Sequence, residues 1–477
     1  MVEARFEGIE DAYDVVVIGS GLGGLTGAQC LAKAGHKVLL LEQHYQLGGL
    51  ATWFKRKGGH IFDISLHGFP VGMKKSCRRY WTKEIADSIV QLKDIRFDNP
   101  QFKLQTTYEK SDFTRLMIED FAVKPEVIES FYDRVGNQEF YQSSDGQTAK
   151  DLFEEFFPGR SDIHRLLLEP ITYANGSSEE DPALTYSIVF SNFMKKGIFT
   201  FEGGTDQLIK SMIAELENKG VTIRRRVGVD RILTETKGGQ QKVVGVEAGG
   251  KVIRCKAVFS NANLKRTILD MLDNYDSLAE EFQSKAEEIR LNNSSCQVYM
   301  GIKKGESIPH CGDLLFVSDE KGFSSDALKE FHTKSRTFSF YYPEIRPHAK
   351  VPRYSVVAST NALWKDWADL DDTAYEKEKA RLIEDTLTKL EQYLPNIREV
   401  IDHVEAATPR TIHHFTQHVN GASFGTKFEG LEVSQSLPEH VKGLYHAGSV
   451  GIIMSGWLGT INYGVMTAHK ADQYLCN

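Results

Sequence analysis

Four apolar residues in a row, Val15 to Ile18, open the hydrophobic pattern of the chain. A short apolar run bounded by turn residues reads as a strand buried on both faces, as in a parallel sheet. Gly19-x-Gly21-x-x-Gly24 follows at once, and Leu25 to Ala34 continues at helical spacing. His36 to Leu41 is a second apolar strand, closing on Glu42. The result is a strand–turn–helix–strand–acid unit. Its first glycine allows the tight turn, its second lets backbone approach a pyrophosphate, and its third lets the helix pack closely on the strand. The helix N-terminus offers free amides and a positive dipole end to phosphates. Glu42 stands where a ribose would be held. Gly19, Gly21, Gly23, Gly24, Glu42 and Gln43 are therefore the first cofactor-binding candidates.

A second glycine site follows. Glu42 to Gly49 ends in the pair Gly48–Gly49, and Gly58-Gly-His-Ile-Phe-Asp63 comes next. Such glycines let backbone run beside a bulky ligand, and a nicotinamide dehydrogenase has no need of them. The run from Gly19 to Asp63 resembles the flavoprotein superfamily of amine oxidases, protoporphyrinogen oxidases and carotenoid desaturases. The resemblance implies FAD, with Glu42 on the adenosine ribose and Gly48–Gly49 along the diphosphate and ribityl. His60 to Pro70 reads as a short strand entering a loop, which in that superfamily leads to the reactive ring. His67 departs from the desaturase pattern and is closer to retinol saturases, although Ile64-Ser65 stands where theirs has Val-Gly. His67 is the candidate polar residue beside the ring and the one catalytic candidate.

Further along, residues 87 to 118 alternate as strands of an antiparallel sheet do. Val123 to Phe157 is helical in pattern, with Phe131, Phe140, Phe153, Phe156 and Phe157 prominent. These aromatics suit either a core or a substrate tunnel. In Gly197 to Met212 (GIFTFEGGTDQLIKSM) a strand ends at Gly203–Gly204 and a helix begins near Thr205, similar to the family's aromatic-x-x-Gly-Gly signature. Strands over 221–224 and 227–232, a hairpin at Gly238–Gly239 and strands over 243–246 and 253–258 come next. The resemblance places Val229 at the adenine edge through its backbone. Residues 265–290 read as helices, 296–302, 336–342 and 354–360 as strands, and Asp371 to Leu394 as one long helix. Near the end, Gly443 to Ser449 reads as a last strand, and Ser455 to Gly464 opens a final helix. This block resembles the family's terminal flavin motif, implying contacts from Gly448, Ser449, Gly459, Thr460 and Ile461. Ser449 stands where many members have an acid. A helix N-terminus there would stabilise charge on a reduced ring.

These blocks predict an α/β fold. A dinucleotide-binding (Rossmann-like) FAD domain is assembled discontinuously from residues 1–70, 195–265 and 400–477. An α+β substrate domain takes 71–194 and 266–399. The resemblance is strong in the first set and weak in the second. It is nearest the branch of carotenoid desaturases, carotenoid isomerases and retinol saturases.

Composition narrows the rest. The chain has 477 residues and a formal charge of −8, which points away from a nucleic-acid partner. Six scattered cysteines form no CxxC pair, so neither a disulfide framework nor a zinc site is indicated. They read as reduced thiols of a cytoplasmic protein. Met1 to Ala12 is acidic and lacks the apolar region of a signal peptide. No apolar run approaches the roughly 18–20 residues of a membrane span. Lys74, Lys75, Arg78 and Arg79 flank Cys77, with Tyr80 and Trp81 next. This cluster fits either a peripheral membrane contact or a solvated helix face over core aromatics. His413, His414 and His418 invite a metal reading, but no further ligand is placed near them, so no metal is expected. No Gly-x-Ser-x-Gly elbow appears. The flavin would supply the chemistry. The expected function is an FAD-dependent oxidoreductase exchanging hydride at flavin N5 with a hydrophobic, polyene or isoprenoid substrate. The alternatives are a flavin amine oxidase, needing an aromatic cage for which Tyr445 and Trp457 are available, and a non-enzymatic flavin-binding protein.

Overall fold

The computed structural model describes residues 5–137, 146–347, 349 and 351–477. Phe140 and the first four residues of the acidic leader lie outside them. In chain order the elements that position the site begin with β1 (Ala12–Ile18), α1 (Leu22–Lys33) and β2 (Val38–Glu42). Then come α2 (Gly72–Tyr80), β3 (Ile95–Asp98), β4 (Lys103–Thr106), α3 (Ser161–Asn175), α4 (Gly204–Asn218) and β5 (Thr222–Arg225). β6 (Arg231–Lys237), β7 (Gln240–Ala248), β8 (Lys251–Ser260), β9 (Ser294–Ile302) and β10 (Leu314–Ser318) follow. The last are β11 (Ser335–Tyr341), β12 (Ser355–Ala362), α5 (Asp372–Glu391), β13 (Ile401–Ala407), β14 (Val441–Lys442), β15 (Leu444–His446) and α6 (Gly456–Cys476).

Two sheets dominate the described residues. The first has the order β5-β2-β1-β8-β7-β6, with β14 on β7 and β15 on β8. β5, β2, β1 and β8 run parallel, and Val15 lies between Val38 and Ala257. Val15, Val16, Val17, Leu39 and Leu40 are fully buried. Burying each such side chain contributes about 1.5–3 kcal/mol. α1 and α6 cover this sheet, so the protein is α/β with a Rossmann-like dinucleotide-binding sheet. The second sheet has the order β13-β9-β12-β11-β10-β3-β4 and is antiparallel apart from the β10–β3 pair. β13 belongs here, so the C-terminal segment contributes strands to both sheets.

Residues 87–118 are not all strand. β3 and β4 are present, but Lys110–Glu119 is a helix burying Phe113, Leu116 and Met117. In the cluster around Cys77 the basic and apolar residues part: Lys75, Arg78 and Arg79 are exposed and the apolar side chains turn inward. α2 buries Met73 and Cys77, Trp81 is in the core, and its Nε1–H donates to Thr26 Oγ1 at 3.3 Å. Lys74 donates to the Ile89 carbonyl and Arg78 pairs with Asp87. Hydrophobic burial has turned the indole inward. No helix among the described residues is long and apolar enough to cross a membrane.

A buried ionic knot ties the segment after β11 to the strand Ile61–Asp63 and to α4. Arg346, in the segment after β11, donates to Asp63 Oδ2 at 2.8 Å, to the Gly203 carbonyl at 2.9 Å and to Asp206 on α4. Asp63 Oδ1 also accepts from the Thr205 N–H at 2.8 Å, at the N-terminus of α4. Gly203 and Gly204 both have positive φ, and a Cβ on Gly204 would lie 2.2 Å from the Arg346 guanidinium. Gly204 of the FTFEGG stretch thus makes room for that guanidinium, whereas a Cβ on Gly203 would meet Gln207.

Candidate active site

A cavity of about 380 Å³ runs from the glycine turn after β1 to the inner face of the second sheet. Gly19, Gly21, Gly23, Glu42, Gln43, Gly48 and Gly49 line its first part. Gly19 makes the turn at φ +87°, a conformation glycine adopts without strain. A Cβ on Gly21 would lie 2.5 Å from Asn261 Oδ1, and one on Gly24 2.1 Å from the Gly19 carbonyl. Gly24 itself lies behind the wall, where it lets α1 approach β1. The early turns of α1 form the wall here, and the first amides of a helix have no intrahelical partner. Glu42 is buried; its Oε2 accepts from the Ser20 N–H at 2.8 Å and the Ser20 hydroxyl at 2.6 Å. Its Oε1 accepts from the His44 N–H at 2.8 Å. A carboxylate fixed in this way keeps lone pairs for a ligand's hydroxyls.

Val229 lies beyond the end of β5 on the cavity wall and is 7% exposed. Its backbone N–H and carbonyl have no hydrogen-bond partner among the described residues. A buried peptide group with a free donor and a free acceptor calls for a partner. A flat heterocycle edge carrying both functions supplies one. Ser449 and Thr460 also line the cavity, Thr460 from the first turns of α6. Gly448, Gly459 and Ile461 do not line it. Gly448 packs against the Ala262 carbonyl, Gly459 against the Ile453 carbonyl, and Ile461 is core. A glycine cradle, free helix amides, a fixed acid and an unpaired peptide edge together fit an adenine dinucleotide such as FAD.

The cavity continues as an apolar arm walled by Tyr108, Ile171, Phe193, Ile198, Leu314 and Phe316. His67 stands on the wall close to this arm. Its Nδ1 lies 2.7 Å from Ser339 Oγ and its Nε2 2.9 Å from Ser359 Oγ. Enclosure away from bulk water lowers its pKa to about 4, so the imidazole is neutral at physiological pH. Tyr299 donates to Gln297 Oε1 at 2.7 Å on the same sheet face.

The three C-terminal histidines do not converge on one point. His413 Nδ1 is 2.8 Å from the His418 carbonyl, and His418 Nδ1 is 2.9 Å from the Ala422 carbonyl. Nor do Tyr445 and Trp457 form a cage. Trp457 lines the cavity beside Phe69 and Phe201, whereas Tyr445 packs toward Tyr474 away from it. Sequence reasoning missed Asn261, Gln297, Tyr299, Thr337 and Ser359. Asn261 alone had a local signal: it follows β8 directly, at the carboxyl end of a parallel strand where ligands of open α/β sheets bind.

A family model described as flavin containing amine oxidoreductase matches residues 22–471. Prolycopene isomerase, chloroplastic, of Daucus carota is 23% identical, with 96% of this chain and 80% of that protein covered. All-trans-retinol 13,14-reductase of Danio rerio is 22% identical, covering 96% and 86%. The crystal structure of an oxidoreductase from Methanosarcina mazei superposes with a TM-score of 0.67 at 17% identity, covering 96% of this chain and 99% of that one. At that identity the likeness is one of fold.

Proposed function

The chain belongs to the flavin containing amine oxidoreductase family and is an FAD-dependent oxidoreductase, and on that premise we propose that its substrate is a conjugated polyene of isoprenoid type. The observation that carries this reading is the apolar, aromatic-walled arm. The charged side chains on the cavity wall are Glu42, Arg56, Arg266 and Glu405, and none belongs to the arm. Arg56 pairs with Glu405 and Arg266 donates to Gln417. A protonated amine brought into the arm would lose its water without gaining an anion or an aromatic cage, at a cost of several kcal/mol. A polyene loses nothing there and gains dispersion contact.

Gly19, Gly21, Gly23, Gly48 and Gly49 would hold the FAD diphosphate and ribityl, Glu42 the ribose, and the Val229 backbone the adenine. Gln43, Ser449 and Thr460 would complete the cradle. Bound FAD supplies two-electron hydride chemistry. The protein's part is to exclude water, align the chain of double bonds and manage the accompanying proton. His67 is suited to the last task. It is neutral, and its two ring nitrogens face two hydroxyls, so one nitrogen can accept a proton while the other holds its own. Desaturation, saturation and redox-assisted isomerisation all draw on these features.

Anaerobic mixing tests the reading. Oxidised and reduced holoenzyme are each mixed with carotenoids, retinoids, unsaturated fatty acids and amines while flavin absorbance and products are followed. Polyenes should perturb the flavin spectrum and return altered polyenes. Flavin reduction by amines alone would replace this reading with amine oxidation.

A further inference from the structure

The arm is apolar in its rings but not in its hydrogen-bonding capacity. The hydroxyls of Tyr108, Tyr173 and Thr337 are buried, lie along the cavity wall and have no partner, and so does Asn361 Nδ2. An unpaired buried polar group costs about 1–3 kcal/mol, so several on one wall call for an explanation. Two of them are neighbours. Thr337 is the cross-strand partner of Phe316 on one side and of Ser359 on the other. The Tyr173 ring stands 5.9 Å from the ring of Phe316. Tyr173 and Thr337 therefore flank Phe316, one cross-strand step from the Ser359–His67 pair. Tyr108 is also held at φ +59°, a strained backbone for a bulky residue and one that tends to mark functional sites.

We infer that Tyr173 and Thr337 bind an uncharged oxygen, an alcohol or carbonyl, at one end of the substrate, so that the enzyme selects oxygenated polyenes over hydrocarbon ones. The inference rests on the polyene reading above and sharpens it. Each orphaned group can donate a hydrogen bond, and Asn361 Nδ2 can only donate. The missing partner is thus an acceptor. Glu169, one turn before Tyr173 on α3 and 1% exposed, is already paired with Arg165 at 3.6 Å. An ionised carboxylate on the ligand would have to shed its water in the apolar arm at a cost an alcohol or carbonyl does not meet. A hydrocarbon end would leave the hydroxyls unpaired, and sites built around such bonds reject analogues lacking them.

The test is binding to the FAD-loaded enzyme, read by the change in flavin absorbance. The probes are a C20 polyene alcohol, its aldehyde, its carboxylic acid and the hydrocarbon of equal length. Alcohol and aldehyde should bind at least ten-fold tighter than the hydrocarbon or the acid. Tyr173→Phe and Thr337→Val, both nearly isosteric and checked for full flavin content, should each remove most of that preference and leave hydrocarbon binding unchanged or tighter. Equal binding of all four probes, or a preference that survives in the double variant, overturns the inference and leaves the polyene reading standing. Failure of every probe to bind overturns both.

Discussion

At the scale of single residues, the cofactor cradle is a set of refusals of volume. Gly21 has ordinary helical-side φ, so its requirement is purely steric: Asn261 Oδ1 occupies the space a side chain would enter. Asn261 cannot simply swing away, because its Nδ2 donates to the Ala447 carbonyl at 2.7 Å. Gly21→Val should therefore cost about 1–3 kcal/mol of overpacking strain and displace the cradle wall. Purified Gly21→Val should be folded but pale, with its flavin-to-protein absorbance ratio well below wild type. Full yellow colour would remove this turn from the cofactor site. That Gly19, Gly21, Gly23, Gly48, Gly49 and Glu42 share a wall was legible in the sequence because each stands within its own short unit. Tyr173, Thr337, Gln297 and Ser359 were not, because each is an ordinary residue of its own helix or strand. Strand register, and for Tyr173 the packing of α3 beside Phe316, brings them to one wall.

At the scale of elements, the buried stretches of β1 and β2 declared themselves as apolar runs, and with β9 they stand close to where the pattern puts them. The helix Lys110–Glu119 did not. Its buried residues Phe113, Leu116 and Met117 are at helical spacing, but the alternation of β3 and β4 before it was carried too far along the chain. The signal that ends the strand is polar: Asp112 accepts from the Thr106 hydroxyl and the Thr107 N–H. The pairing of α1 with α6 was likewise invisible, since they are more than four hundred residues apart. Their contact is glycine on glycine, and a Cβ on Gly464 would lie 2.6 Å from the Gly23 carbonyl oxygen. Both helices point their N-termini at the cavity. Gly464→Leu should pry them apart, lower stability by about 3 kcal/mol and speed flavin loss on dialysis. A thermal melt with flavin quantification checks this; unchanged melting and occupancy would mean that the helix pair does not set the cradle.

At the scale of the whole molecule, buried neutral imidazoles set the response to acid. His446 is 1% exposed, with Nδ1 2.7 Å from Ser434 Oγ and Nε2 2.9 Å from the Ala262 carbonyl. Burial lowers its pKa to about 4, against about 6.5 in an unfolded chain. Between these values the unfolded state binds a proton that the folded state refuses. Stability is thus complete above pH 6.5 and falls toward pH 4, by about 3 kcal/mol for His446 alone. His67 and His418 push in the same direction. Unfolding measured at pH 7, 5.5 and 4.5 should show the decline, and His446→Gln should start less stable but lose less on acidification. Parallel curves would clear His446 of the effect. The Arg346 knot bears on traffic as well as on stability. With Asp63 and Asp206 bound to one guanidinium, it resists parting of the second sheet from the cradle side of the cavity. Substrate exchange should then be single-file, leading end first. Turnover would then follow the girth of the leading end, while the length of tail trailing outside would matter little.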